Sequence, residues 1–260
     1  MRSKIDRTGE IGYNNFGSKM VITKYKTNNN VDVYFPEYNW IFKNVQYGNF
    51  KNGNIKCPYE KRVYGIGYIG EGKYKVKING KKTKCYDVWH SMLERCYNEK
   101  YTYRNSTYKE CEVCEKWHNY TNFGDWFEEN YYTIENETMC LDKDILNKGN
   151  KIYSPDNCIF APERINLLFV KSKKSRGNYP IGVSYHKASG KFEAHCSVYN
   201  YKENKKKLIY LGLYDTTEEA FNAYKQYKEK NIKDVADYYK EQIPSELYQA
   251  LYKYEVNIND

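Results

Sequence analysis

One segment constrains the fold more than any other: "LDKDILNKGNKIYSPDNCIFAPERIN", which runs from Leu141 to Asn166. The apolar residue before Asp142 indicates the end of a strand, and "NKGNKIYSPDN" carries the glycine and proline of a loop. The apolar run "CIFAP" then predicts a second strand, and "ERINLLF" predicts the start of a helix. The order of strand, loop, strand and helix predicts a ββα unit.

The acidic and amide side chains of this segment form a candidate metal site. Mg²⁺ prefers hard oxygen ligands, which carboxylates, amides and water supply. Asp142, at the strand end, and Asn166, on the helix, are therefore predicted ligands of a divalent metal, Mg²⁺ or Mn²⁺. One such metal can polarise a scissile phosphate, while a general base activates water. Asn157 is predicted to orient that base.

The segments before this unit predict a small β module and two bracing helices. In residues 1–65, the runs "SKMVITKY" and "VDVYF" flank an asparagine-rich turn, which favours a small, partly closed β-barrel. Residues 66–170 open with a glycine-rich hairpin and change to helical spacing, with Thr121 or Asn122 as the expected cap of the second helix. The apolar positions of the two helices are Trp89, Met92, Leu93 and Cys96 in the first, and Phe123, Trp126 and Phe127 in the second.

The last part of the chain predicts a basic linker and a separate unit. The linker, residues 171–180, carries four cations that are expected to contact phosphates: Lys171, Lys173, Lys174 and Arg176. In residues 181–260, "IGVSYH", "KFEAHCSVYN" and "KLIYLGLY" predict three antiparallel strands, and Thr216 with Glu219 predicts a capping box that begins a helix. One face of this sheet is expected to be covered and the other free. The predicted fold class is therefore α+β with several domains.

The net charge, the cysteines and the absence of long apolar runs indicate the partner, the metal content and the location of the protein. The formal net charge of +9 favours a polyanionic partner, and nucleic acid is the commonest. The spacing Cys111-Glu-Val-Cys114 allows a structural zinc, with His118, Cys96 or Cys85 as further ligands, but core thiols are the favoured interpretation. The sequence contains no apolar run of membrane-spanning length and no secretory signal at its start, so a cytoplasmic protein is expected.

The central segment resembles the HNH (His-Me finger) endonucleases, especially those of the phage and homing type. "GNKIYSPDNCIF" is similar to the loop "GNYSPENCRW" that is common in phage members, and "VWHSMLERCYN" and "CEKWHNYTNFGDWFEEN" resemble the segments that precede it there. Asp142 matches the first Asp of the family, Asn157 the middle Asn and Asn166 the last metal position. The resemblance implies a metal-dependent DNA endonuclease, a hydrolase of phosphodiester bonds.

One position departs from the HNH pattern. Lys143 stands where the family has its general-base histidine, and a lysine is protonated at neutral pH unless burial lowers its pKa. Lys143 is therefore a candidate phosphate ligand, with Asp144 or a metal-activated water as the base. His118, at the neighbouring helix start, is a further candidate base. The alternative is a degenerate site that keeps the fold and binds DNA without cutting it.

The C-terminal unit resembles the APETALA2/ERF domain. "GVSYHKASGKFEAHCSV" matches the first hairpin of that family, and "IYLGLYDTTEEAFNAY" matches its last strand and helix start. The resemblance implies that the free face of the sheet enters the major groove of double-stranded DNA. The residues at the matching positions are Ser184, His186, Lys191, His195, Ser197 and Tyr210, with Lys191 as a phosphate contact. Most of the family's arginines are absent here, which favours shape or backbone readout over bidentate guanine contacts.

Three functions remain open from the sequence. The first is a phage-type homing endonuclease that nicks or cuts DNA and is targeted by its C-terminal domain. The second is a DNA-binding protein without catalysis that regulates or inhibits a host system. The third is an adaptor that recruits a host protein through the N-terminal β module. Metal-dependent nicking distinguishes the first from the other two.

Overall fold

The computed structural model describes residues 5–169, 178–200 and 205–260. The chain forms two compact units, one ending at Glu129 and the other beginning at Asn130. This division falls inside the stretch 66–170, for which the sequence predicts a single domain. Among the described residues, no helix has both the length and the apolar character needed to cross a membrane.

The first unit begins with an antiparallel meander of four strands in chain order. These are β1 (Ile11–Tyr13), β2 (Lys19–Thr27), β3 (Asn30–Phe35) and β4 (Trp40–Val45), and helix α1 (Tyr47–Lys51) follows them. Alternate residues of the two central strands are buried with Phe50 of α1, as the pleat requires: Met20, Ile22, Val31, Val33 and Phe35. Within the described residues β1 and β4 are both edge strands, so the sheet is open rather than partly closed as a barrel.

The rest of the first unit is mainly helical. A short hairpin of β5 (Lys77–Ile78) and β6 (Lys81–Lys82) precedes α2 (Lys84–Tyr97), α3 (Glu99–Arg104), β7 (Glu112–Val113) and α4 (Tyr120–Asn130). The predicted apolar stripe of α2 is confirmed, since Trp89, Met92, Leu93 and Cys96 are all buried.

The cap of α4 is a different residue from the one expected. The Asn119 side chain accepts a hydrogen bond from the Thr121 backbone N–H at 2.9 Å, so neither Thr121 nor Asn122 is the cap. The helix begins at Tyr120, two or three residues earlier than a cap at Thr121 or Asn122 would place it.

The second unit opens with the predicted strand, loop, strand and helix. The strands β8 (Met139–Asp142) and β10 (Ile159–Pro162) pair antiparallel, with Ile159 opposite Asp142, and β9 (Ile152–Tyr153) lies between them in the chain. The short helix α5 (Glu163–Asn166) follows directly. Buried apolar side chains on β8, β10 and α5 hold the three elements together, so the polar loop is left at one end of the hairpin.

The remainder of this unit is a three-stranded antiparallel sheet with two helices. The strands are β11 (Val183–His186), β12 (Lys191–Asn200) and β13 (Lys205–Tyr214), in chain order, and the helices are α6 (Thr217–Tyr239) and α7 (Ser245–Tyr252). The capping box predicted from Thr216 and Glu219 is confirmed. The first half of α6 packs its Ala220, Phe221 and Tyr224 against one face of the sheet.

Helix α6 contributes side chains to two hydrophobic cores. Its second half buries Ile232, Val235, Ala236 and Tyr239. These side chains pack with Ile145, Ile159, Ala161 and Ile165 of the hairpin and with Leu247 and Leu251 of α7. The sheet and the strand–loop–strand–helix segment are therefore joined through one helix, although the sequence predicts a boundary at residues 171–180.

Candidate DNA-binding face and candidate metal site

The free face of the three-stranded sheet follows from the alternation of its strands. Val183, Ala194 and Cys196 point into the core under α6. Successive side chains on a strand point to opposite faces, so Ser184, His195 and their alternate neighbours lie on the face that α6 does not cover.

All six predicted sheet residues lie on this free face. The register sets Ser184 opposite Glu193, His186 opposite Lys191 and His195 opposite Tyr210. The rings of His195 and Tyr210 contact each other, with their centroids 5.4 Å apart. The full set is Ser184, His186, Lys191, His195, Ser197 and Tyr210.

Three residues of this face were missed from the sequence. They are Glu193 on β12 and Leu208 and Leu213 on β13. Glu193 lies opposite Leu213, and Leu208 lies opposite the predicted residue Ser197. Leu208 is 65% exposed and Tyr210 is 56% exposed, so this part of β13 presents large side chains to solvent. The strict alternation of β12 was the signal that could have identified Glu193, because it lies two residues before His195.

Glu193 is the centre of a polar network on the face. The Ser184 hydroxyl donates to Oε1 of Glu193 at 3.2 Å, and Nε2 of His195 lies 3.3 Å from Oε2. Lys191 at the edge of the face forms an ion pair with Asp215 at 2.9 Å, which weakens its charge as a phosphate contact. The predicted linker cations Lys171, Lys173, Lys174 and Arg176 lie outside the described residues.

Asp142 occupies the end of β8 in an unfavourable electrostatic environment. Its Oδ1 accepts the backbone N–H groups of Asp144 and Ile145, each at 2.8 Å. Burial and the neighbouring Asp144 carboxylate raise the pKa of Asp142 to about 6. The carboxylates of Asp142 and Asp144 repel each other when both are ionised, and a divalent cation would relieve that repulsion.

Lys143 is buried, and its ammonium group is already engaged. Nζ donates to Oδ2 of Asp144 and to the backbone carbonyl of Asn150, both at 3.1 Å. A protonated amine that donates to two acceptors has no lone pair to take a proton from water. These contacts link the Lys143 ammonium group to Asp144 and to the backbone across the loop, and its charge partly offsets that of Asp144.

The two asparagines of the predicted site differ in their surroundings. Oδ1 of Asn157 accepts from Nδ2 of Asn147 at 2.9 Å across the loop. Asn166 is the last residue of α5 and is half-buried, and in the described part of the chain its side chain has no hydrogen-bond partner. Helix α5 contacts β8, which brings the two predicted metal-binding elements together.

The oxygen ligands present fit a metal site only in part. Asp142 and Asp144 supply carboxylates and Asn166 an amide, but Lys143 sits among them. Among the described residues, no group of three or more His, Cys, Asp or Glu side chains is arranged to hold a metal ion. This holds for Cys111 and Cys114 of the first unit as well. His118, also in the first unit, places Nε2 3.0 Å from the Val113 carbonyl.

Comparisons with known proteins bear on the C-terminal sheet. Residues 179–233 match the family model of the AP2 domain, and they contain all three strands and the first part of α6. Over 87 residues the chain is 36% identical to an AP2-like ethylene-responsive transcription factor of Arabidopsis thaliana. That similarity covers 32% of this chain and 20% of the relative, so the chain spans about a fifth of the relative's length. No solved structure matches the chain significantly. The AP2 similarity indicates DNA binding.

Proposed function

We propose that this protein binds double-stranded DNA by placing the free face of the β11–β13 sheet in the major groove. The observation that carries the proposal is the agreement between the AP2 match at residues 179–233 and the sheet whose one face α6 leaves open. A two- or three-stranded sheet has the width to enter a major groove, where base edges can be distinguished. The net charge of +9 favours the same partner.

The experiment that tests this proposal compares two tyrosines of equal exposure. Tyr210 on the sheet and Tyr238 on α6 are each 56% exposed. In fluorescence anisotropy with a labelled duplex, Tyr210→Ala should weaken binding by about tenfold, which lies in the lower half of the range of about 1–3 kcal/mol for one base-edge contact. Tyr238→Ala is the matched control and should leave the affinity unchanged. Equal losses in both variants would contradict the sheet as the binding face.

We further propose that the β8–α5 segment cuts the bound DNA in a metal-dependent reaction. The specific observation in favour is the raised pKa of Asp142 beside Asp144, which is typical of functional carboxylates. Asp142 and Asn166 would hold one Mg²⁺ or Mn²⁺, and the metal would supply charge to polarise the scissile phosphate. Asn157 would orient the attacking water, and Lys143 would keep the loop in place rather than act as the base.

Plasmid nicking decides between cutting and binding alone. Supercoiled plasmid with Mg²⁺ or Mn²⁺ should be nicked by the wild type, and EDTA or Asp142→Ala should abolish nicking while DNA binding persists. The second candidate is a DNA-binding protein whose β8–α5 segment only supports α6, as their shared core allows. An inert wild type that still binds DNA would establish that second candidate.

A further inference from the structure

Glu193 is an unusual residue for a surface that meets a polyanion. It lies on the free face between Ser184 of β11 and Leu213 of β13, and its side chain is 25% exposed. A carboxylate at this place repels the phosphates of a bound duplex. A partner group that donates a hydrogen bond to this carboxylate would offset that repulsion.

The polar network holds this carboxylate in a fixed orientation. Ser184 donates to one oxygen and His195 faces the other, at 3.2 Å and 3.3 Å. The ring of His195 is itself positioned by Tyr210. Nδ1 of His195 is buried and has no hydrogen-bond partner among the described residues, so Nε2 is the ring nitrogen that faces Glu193.

The network leaves part of the carboxylate available. An ionised carboxylate has about four lone-pair positions; Ser184 donates to one of them, and Nε2 of His195 lies 3.3 Å from the other oxygen. Because the orientation is already set in the free protein, binding a donor requires little further ordering of this side chain. Glu193 is thus a pre-organised hydrogen-bond acceptor on the proposed DNA-binding face.

We infer that Glu193 reads a cytosine in the major groove by accepting a hydrogen bond from its N4 amino group. This inference rests on the proposed DNA binding by the sheet. Guanine presents only acceptors there, N7 and O6, and thymine presents O4 and a methyl group, so both repel or exclude a carboxylate. Adenine offers an amino group but sets the N7 acceptor beside it, which leaves cytosine as the base that fits.

The test is selection of duplexes from a pool with a randomised centre, using the full chain in EDTA so that DNA stays uncut. Wild type should enrich a motif with a cytosine at one position. Glu193→Gln should lose the preference at that position by roughly tenfold or more and keep the rest of the motif. It should also bind an unrelated duplex more tightly, because one negative charge has left the face. The exposed Glu241→Gln is the control and should change neither property.

The outcomes separate this inference from the function on which it rests. If Glu193→Gln selects the same motif as the wild type, or if the position that relaxes is not a cytosine, Glu193 does not read the base. A wild type that binds duplexes without any preference overturns the inference and leaves DNA binding intact. A wild type that binds no duplex overturns both. Circular dichroism of the variant checks that the sheet is folded in each case.

Discussion

Replacing Asp142 by asparagine should stabilise the metal-free protein at neutral and alkaline pH. In the folded state burial and Asp144 raise the pKa of Asp142 from its ordinary 3.8 to about 6. The folded carboxyl group therefore holds its proton more tightly than the unfolded one does. This contribution to stability is fully present below the unfolded pKa and is lost as the pH rises through about 6.

The size of the effect follows from the two pKa values. The interval between 3.8 and about 6 corresponds to a penalty of about 3 kcal/mol once Asp142 is ionised in both states. Asparagine is uncharged and its oxygen can still accept the N–H groups of Asp144 and Ile145. The variant should be more stable than the wild type by up to about 3 kcal/mol near pH 8, but by less than about 1 kcal/mol near pH 4.

Urea denaturation in EDTA at both pH values measures this difference. The control is Asp156→Asn, an exposed acid of the same loop, which should show no such pH dependence. Addition of Mg²⁺ near pH 8 should stabilise the wild type more than Asp142→Asn, because the variant keeps only the Asp144 carboxylate of the pair. If the variant is less stable than the wild type near pH 8, or if its free energy of unfolding changes equally at both pH values, folding does not raise the pKa of Asp142.

Further predictions concern the linker, the loop lysine and the face. Changing all four cations between Lys171 and Arg176 to alanine should flatten the slope of log affinity against log salt by up to roughly 3.6, and an unchanged slope would mean that they contact no phosphate. Lys143→His should leave plasmid nicking flat or lower it, because Lys143 holds the loop, whereas a rise of about tenfold or more would mean that histidine restores a missing base. His195→Ala should weaken duplex binding by about tenfold in anisotropy without unfolding the domain.

Local patterns in the sequence predicted the elements around both candidate sites. The turn residues between Asp142 and Ile159 indicated a hairpin, and β8 and β10 pair across it. The resemblance to the APETALA2/ERF domain selected the predicted face residues, and the alternation of β12 sets three of them, Lys191, His195 and Ser197, on one side of the sheet. These features depend on residues that are close together in the sequence, which is why they can be predicted from a single sequence.

Features that depend on distant contacts were not predicted. The spacing of Ile232, Val235, Ala236 and Tyr239 indicates a helical stripe, but periodicity does not say that Ile165 packs on it. The same limit applies to the N-terminal sheet. The alternation of apolar residues predicts which face is buried, but it does not predict whether the edge strands β1 and β4 pair with each other. Lys143 and its acceptor Asn150 lie across a loop, so their contact depends on the closed shape of that loop.

Mapping of amide chemical-shift changes by NMR identifies the surface of the protein that meets the DNA. The isotope-labelled full chain is titrated with a short duplex in EDTA. The largest changes should fall on β11, β12 and β13, at positions that include Ser184, His195 and Tyr210, while the exposed side of α6 stays unchanged. Changes confined to α6 or to the first unit would contradict DNA binding by the free face of the sheet.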